Sequence, residues 1–220
     1  FFPAQFAGSL VGTFLTSRFA KRHDHFGATV LGTVLMAAGI LVMNVDVFAV
    51  CLVGFAVNGI GIGLTLPSIN MLILELSRER AGSALSVLNF CWGVGAIICK
   101  PFVDMVSTAD GLGWTTYLLA VPLVIAAIPL ISMTGGKGLG DVDLDVDPTP
   151  ETPIWTTPLA WMIALFNFIH VGFESGIGGW LTTYTGRVGG EPALNWLSPT
   201  LLFFSFFVIG RGVAPLLFRF

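Results

Sequence analysis

Seven charge-free apolar stretches, with positive charge concentrated in every second gap between them, constrain this chain more than any other feature. They are Phe1–Ser17, Phe26–Val45, Val47–Leu74, Ala81–Cys99, Gly111–Gly136, Thr152–Phe173 and Pro192–Gly210. A hydrocarbon core takes about 20 apolar residues of helix, and most of these runs approach or pass that length. A water-soluble domain cannot hide so much apolar surface, so the solvent is a bilayer. Composition agrees: 55% of the 220 residues are hydrophobic and 10% are charged, against about 25% charged in soluble domains. Mean hydropathy is +0.87.

Charge placement orients the runs. Arg18, Lys21 and Arg22 share the first gap, and Arg78 and Arg80 the third. Lys137 follows the fifth run and Arg219 the seventh. If each run crosses once, these residues share one side, and the positive-inside bias makes that side cytoplasmic. The expected location is the plasma (inner) membrane, multi-pass, with loops 20–26, 76–81 and 134–157 in the cytoplasm. Arg187 and Lys100 fall to the opposite side, while Arg211 lies at the end of an apolar run. Trp114, Tyr117, Trp155, Trp161, Tyr184 and Trp196 lie near helix ends, as interfacial anchors do.

The pattern predicts helices at about 1–19, 27–44, 47–75, 82–104, 114–133, 158–184 and 197–218. The fold class is all-α transmembrane with seven helices. Residues 134–157 differ from the rest. Four glycines lead into Asp141, Asp143, Asp145, Asp147 and Glu151, interleaved with Pro148, Pro150 and Pro153. Too little apolar surface is present to offset ordering entropy, so this reads as a solvated linker. GGKGLGDVD nearly matches a calcium-binding nonapeptide, but its Asp comes one place late and nothing repeats. The domain reading is 1–133, linker 134–157, and 158–220. Phe1–Ser17 has no basic n-region, so it is no signal peptide, and both ends read as cuts within a longer protein.

Ionisable residues inside a bilayer cost a few kcal/mol or more and are functional candidates by default. Asn167, His170 and Glu174 are spaced three and four apart, which places them on one helix face. Gly176, Gly178 and Gly179 follow, then Trp180. Dense glycine weakens a helix, and transporters break helices where they line a cavity. Glu174 would lie about 15 Å deep and Arg211 about 21 Å at 1.5 Å per residue. The two readings of Glu174 are a solute-facing carboxylate and a structural pair with Arg211. Gly82, Ser86, Asn89, Gly93, Ala96 and Lys100 form a small, polar face, with Asn89 as its solute contact or an interhelical hydrogen bonder. Snorkelling and an i+4 pair with Asp104 explain Lys100. Asn58, Gly61, Thr65, Ser68, Leu72 and Glu75 form a similar face, where Asn58 and Asn70 either bind solute or pack. Pro67 frees a backbone carbonyl that Ser68 or a neighbour must satisfy. Glu75 lies close to Arg78 and Arg80, as a local ion pair or an inward gate.

No metal-ligand cluster, phosphate-cradling loop or nucleophile–base set is present, so no catalysis, cofactor or metal is expected. Cys51, Cys91 and Cys99 sit in apolar runs as small hydrophobes. Basic residues are too few for nucleic acid. The partners expected are the bilayer, a small polar solute and a coupling ion.

The segment Gly59–Pro101, GIGIGLTLPSINMLILELSRERAGSALSVLNFCWGVGAIICKP, resembles the major facilitator superfamily, and within it the fucose-permease-like branch. VGFESGIGGWLTTY is similar to that branch's seventh helix and Gly210–Pro215 to its eighth. The resemblance implies a partial major facilitator fold of two six-helix bundles, with helices two to eight present and the linker joining the bundles. The superfamily's basic loop appears as Ser17-Arg18-Phe19-Ala20-Lys21-Arg22, with Ser17 in place of its acid and Ala20 in place of its glycine. Arg18 and Arg22 are thereby gating candidates with Glu75, Arg78 and Arg211. The function expected is secondary active transport of a sugar-like solute by alternating access, proton-coupled through His170 or Glu174. Asn58, Asn89, Asn167, Glu174 and Trp180 would contact the solute. The alternatives are a seven-helix receptor or sensor and a facilitator-fold protein that does not transport. Against a photoreceptor, a retinal Schiff base needs a Lys in the last helix, and no Lys follows Lys137.

Overall fold

The computed structural model describes residues 1–45, 47–110, 112–133, 156–188 and 199–217. Among these residues the chain is all-helical, with no strand. The helices are α1 (Phe2–Val42), α2 (Phe48–Leu76), α3 (Ala81–Asp110), α4 (Leu112–Met133), α5 (Pro158–Val188) and α6 (Pro199–Leu217), with a 3₁₀ turn at Arg78–Arg80. Apolar chains in lipid take this form because no water is present to satisfy an open backbone. Among the described residues four stretches are long and apolar enough to cross a membrane: His25–Val42, Phe48–Leu76, Arg78–Cys99 and Pro158–Gly178. Tyr117–Pro129 and Pro199–Val213 are shorter apolar helices. The expected linker at 134–157 lies outside the described residues except for its last two positions.

The expected loop at 20–26 is corrected. Helical backbone is assigned from Phe2 to Val42, across the first two of the seven expected helices and the segment between them. Ser17 to Phe26 contains no Gly or Pro, and Arg, Ala and Lys are strong helix formers, so helical backbone extends into the expected loop from both sides. The element nevertheless doubles back. In a straight helix Gly12 and Gly32 would lie about 30 Å apart. A Cβ placed on Gly12 would sit 3.0 Å from Gly63 Cα, and one on Gly32 would sit 2.8 Å from Gly61 O. Both arms of α1 therefore grip the same stretch of α2. Gly8 meets Ala56 and Gly12 meets Ile60, a parallel register, whereas Gly32 meets Gly61 and Gly39 meets Gly54, an antiparallel one. The chain direction reverses between Thr16 and Phe26.

Glycines make this approach possible. A Cβ on Gly39 would lie 2.6 Å from Asn58 N, and one on Gly61 would lie 2.5 Å from Gly32 O. Apolar side chains gain little by leaving lipid for one another, so close backbone packing and interhelical hydrogen bonds hold the unit together. Asn58 supplies two of those bonds. It is 6% exposed, accepts from Gln5 Nε2 at 2.8 Å and donates from Nδ2 to Met36 O at 3.1 Å. One side chain thus bridges both arms of α1. α4 completes this unit by packing on α1.

Pro67 lies inside α2 and cannot donate to the carbonyl of Gly63. Thr16 is the neighbour that satisfies it: its hydroxyl is shared between Gly63 O and Gly12 O, at 3.0 Å from each. Ser68 Oγ does not take that role and is buried without a partner. Thr16→Val keeps the side-chain shape but leaves Gly63 O with no donor in a buried interface, and is expected to cost about 1–3 kcal/mol. Thermal unfolding of the purified protein in detergent checks this, with Thr16→Ser expected to melt as the parent does.

Candidate functional site

A second compact unit joins Asn89–Ile98 of α3 to α5 and α6. Gly93 receives Val208 of α6, and a Cβ on Gly212 of α6 would lie 3.0 Å from the Phe90 ring. α5 is apolar around most of its circumference, with Phe166, Phe168 and Ile169 all exposed. Such faces meet lipid or further helices in a bilayer. Between Pro158 and Glu174 the exceptions are the polar residues Asn167, His170 and Glu174.

Glu174 is the focus of this unit. Its Oε2 accepts from Arg211 Nη2 of α6 at 3.4 Å, and His170 Nε2 lies 4.0 Å from the same oxygen. The Glu174 side chain is 11% exposed and that of Arg211 is 23%. A lone charge at this position would carry the full desolvation cost, whereas the pair is close to neutral. The Arg211 guanidinium also lies over two aromatic rings, with Cζ 4.1 Å from the Phe207 centroid and 5.4 Å from that of Trp92. Cation–π attraction of this kind strengthens where water is excluded. His170 stacks on Phe207 at 6.3 Å and on Phe166 at 6.4 Å. Arg211 Nη1 is buried and has no acceptor among the described residues.

The structure brings His170, Glu174 and Arg211 together. Asn167 is exposed one face-repeat away, seven residues before Glu174 and hence about 20° from it around the helix. Trp180 is 67% exposed and lies about 240° around α5 from Glu174, on another face. The glycines before it do not break the helix, which continues to Val188. Gly178 instead seats the Phe204 ring. Asn89 is exposed on α3, three residues before Trp92. Asn58 belongs to the first unit, where Gln5 and Met36 hold both ends of its amide. Asn70 is exposed there.

The gating candidates also lie in the first unit, apart from Arg211. Glu75 pairs with His25 of α1 at 3.6 Å, a partner that spacing along the sequence does not indicate. Arg78 is exposed and, with Glu75, Leu76, Ser77, Glu79 and Arg80, lines a cavity of about 420 Å³. Arg18 is exposed, while the side chains of Arg22, Lys100 and Asp104 lie outside the described residues.

Trp92 is a site residue that the sequence reading misses. It sits mid-run, three residues after Asn89 and four before Ala96, so it shares their face. That spacing is the available signal. Among the described residues, no group of His, Cys, Asp and Glu could hold a metal ion.

The family model described as Major Facilitator Superfamily matches residues 1–220. Searches of curated proteins and of solved structures returned no match.

Proposed function

The chain belongs to the Major Facilitator Superfamily, a family of membrane transporters, and we propose that it moves a small, sugar-like polar solute by alternating access, coupled to protons. The observation that carries this reading is the cluster of His170, Glu174 and Arg211 on two largely apolar helices. An ion pair in a bilayer is costly to maintain and needs a use. Glu174 and His170 supply the exchangeable proton, Asn167 extends the polar face, and Asn89 and Trp180 contribute from the path walls. Asn58 serves packing, because both ends of its amide are engaged. Residues 1–133 and 158–220 belong to two bundles that rock about the site, joined through 134–157. The basic gaps face the cytoplasm of an inner membrane, where His25–Glu75 and Arg78 take part in gating.

Cysteine accessibility tests the path. With Cys51, Cys91 and Cys99 replaced by Ser, Asn167→Cys is expected to react with membrane-impermeant thiol reagents added from either side. Phe168→Cys, on the neighbouring apolar face, is expected to stay unlabelled. Labelling of Asn167→Cys from neither side would remove the polar path from α5.

A further inference from the structure

We propose that Arg211 anchors a carboxylate on the transported solute, so that the solute is a hydroxylated organic acid. The inference rests on the transporter reading above and narrows its solute class.

Arg211 has donors to spare. A guanidinium carries five N–H donors in a fixed fork. Among the described residues Nη2 has one acceptor at 3.4 Å, at the long limit of hydrogen bonding, and Nη1 has none. Phe207 and Trp92 hold the group by their faces, which fixes its orientation without using its donors. A planar cation held in this way matches the two oxygens of a carboxylate. A neutral hydroxyl would fill only part of the fork. Nη1 is shielded in this conformation, so the acid reaches it when the clamp turns aside. Trp92, 49% exposed, is the side of the clamp with room to move.

Charge balance then specifies the coupling. Arg211 and Glu174 together sum to zero, and an incoming carboxylate makes the site −1. An uncompensated charge in the bilayer is costly. One proton taken from the aqueous side onto the Glu174 carboxylate restores neutrality and releases Arg211 Nη2 to the solute. The proton transfer to Glu174 is the only bond change, reversed when the proton leaves, and one proton enters with each acid. The ion-pairing partners of Glu174 among the described residues are Arg211 from α6 and His170 from its own helix. Trp92 of α3 contributes only its ring. His170, about half exposed and 4.0 Å from Glu174 Oε2, is placed to pass the proton.

The test uses the full chain in proteoliposomes with an internal pH dye and a panel of acids matched to neutral counterparts: lactate with propane-1,2-diol, gluconate with sorbitol, glucuronate with glucose. At least one acid is expected to bind ten times more tightly than its counterpart and to carry protons inward. Arg211→Lys is expected to weaken that acid at least tenfold. Glu174→Gln is expected to bind it without proton movement. Should the Lys variant fail to fold, Trp92→Leu keeps the arginine, removes half its clamp and is expected to show the same tenfold loss. Acids binding no better than their counterparts, or Arg211→Lys leaving acid affinity unchanged, would overturn the inference. If neutral solutes are moved instead, transport stands and only the carboxylate anchor falls. If nothing in the panel crosses or binds, the anchor is likewise rejected.

Discussion

Gly59→Leu is expected to prevent α1 from seating on α2. A Cβ at Gly59 would meet Gln5 O and lie 2.8 Å from Gln5 C and 3.0 Å from Gln5 Cα. These are backbone atoms and cannot rotate away, so the first arm of α1 must move as a body. Overpacking a well-fitted core by a few methylenes costs about 1–3 kcal/mol. Here a whole side chain enters a backbone-to-backbone contact. Displacing Gln5 also breaks its bond to Asn58, for about a further 1 kcal/mol. The sum is a large share of the stability of a typical domain, about 5–15 kcal/mol. Gly172 provides the contrast, since a Cβ there meets nothing within 4 Å. Gly172→Ala is expected to match or slightly exceed the parent, because alanine is the better helix former by about 0.5–1 kcal/mol. The yield of monodisperse protein after detergent extraction, followed by thermal unfolding, separates the two variants.

The contrast between Gly59 and Gly172 also marks what the sequence could convey. Apolar run length and charge-free stretches identify membrane helices, because lipid leaves the backbone no other form. Intrahelical spacing places His170 and Glu174 on one face, and depth along the runs allows Arg211 to reach Glu174. Both follow from helix geometry alone. Contacts between helices do not. Nothing in the spacing of α2 indicates that Gly59 faces Gln5 while Gly61 faces Gly32, because two arms of one helix surround it. Thr16 as donor to the Pro67-freed carbonyl, and His25 as partner of Glu75, depend on the same reversal of α1. In the sequence the basic residues that interrupt the apolar pattern mark that reversal, while their high helix propensity goes with the helical backbone assigned around it.

Glu174→Gln carries the second large effect. The amide nearly preserves the shape of the carboxylate, so packing is expected to survive. It removes the counter-charge of Arg211 and the only carboxylate of α5. Leaving one member of a buried ion pair alone costs about 3–5 kcal/mol, and partial exposure of Arg211 places the loss toward the lower end of that range. A difference of about 3 kcal/mol is on the order of a hundredfold in an equilibrium constant. The amide also cannot accept a proton. Uphill accumulation driven by an imposed pH gradient is therefore expected to be lost, while solute still binds. Lowered melting without any change in coupling would instead mark Glu174 as a purely structural partner of Arg211.

The most direct measurement of the central claim is proton-driven uptake of radiolabelled sugars and hydroxy acids into proteoliposomes, comparing the parent with Glu174→Gln at matched protein incorporation. The account predicts that the parent accumulates a solute when the pH gradient is imposed and stops when it is collapsed, and that Glu174→Gln does not accumulate it under either condition. Equal gradient-driven accumulation by parent and variant would contradict it.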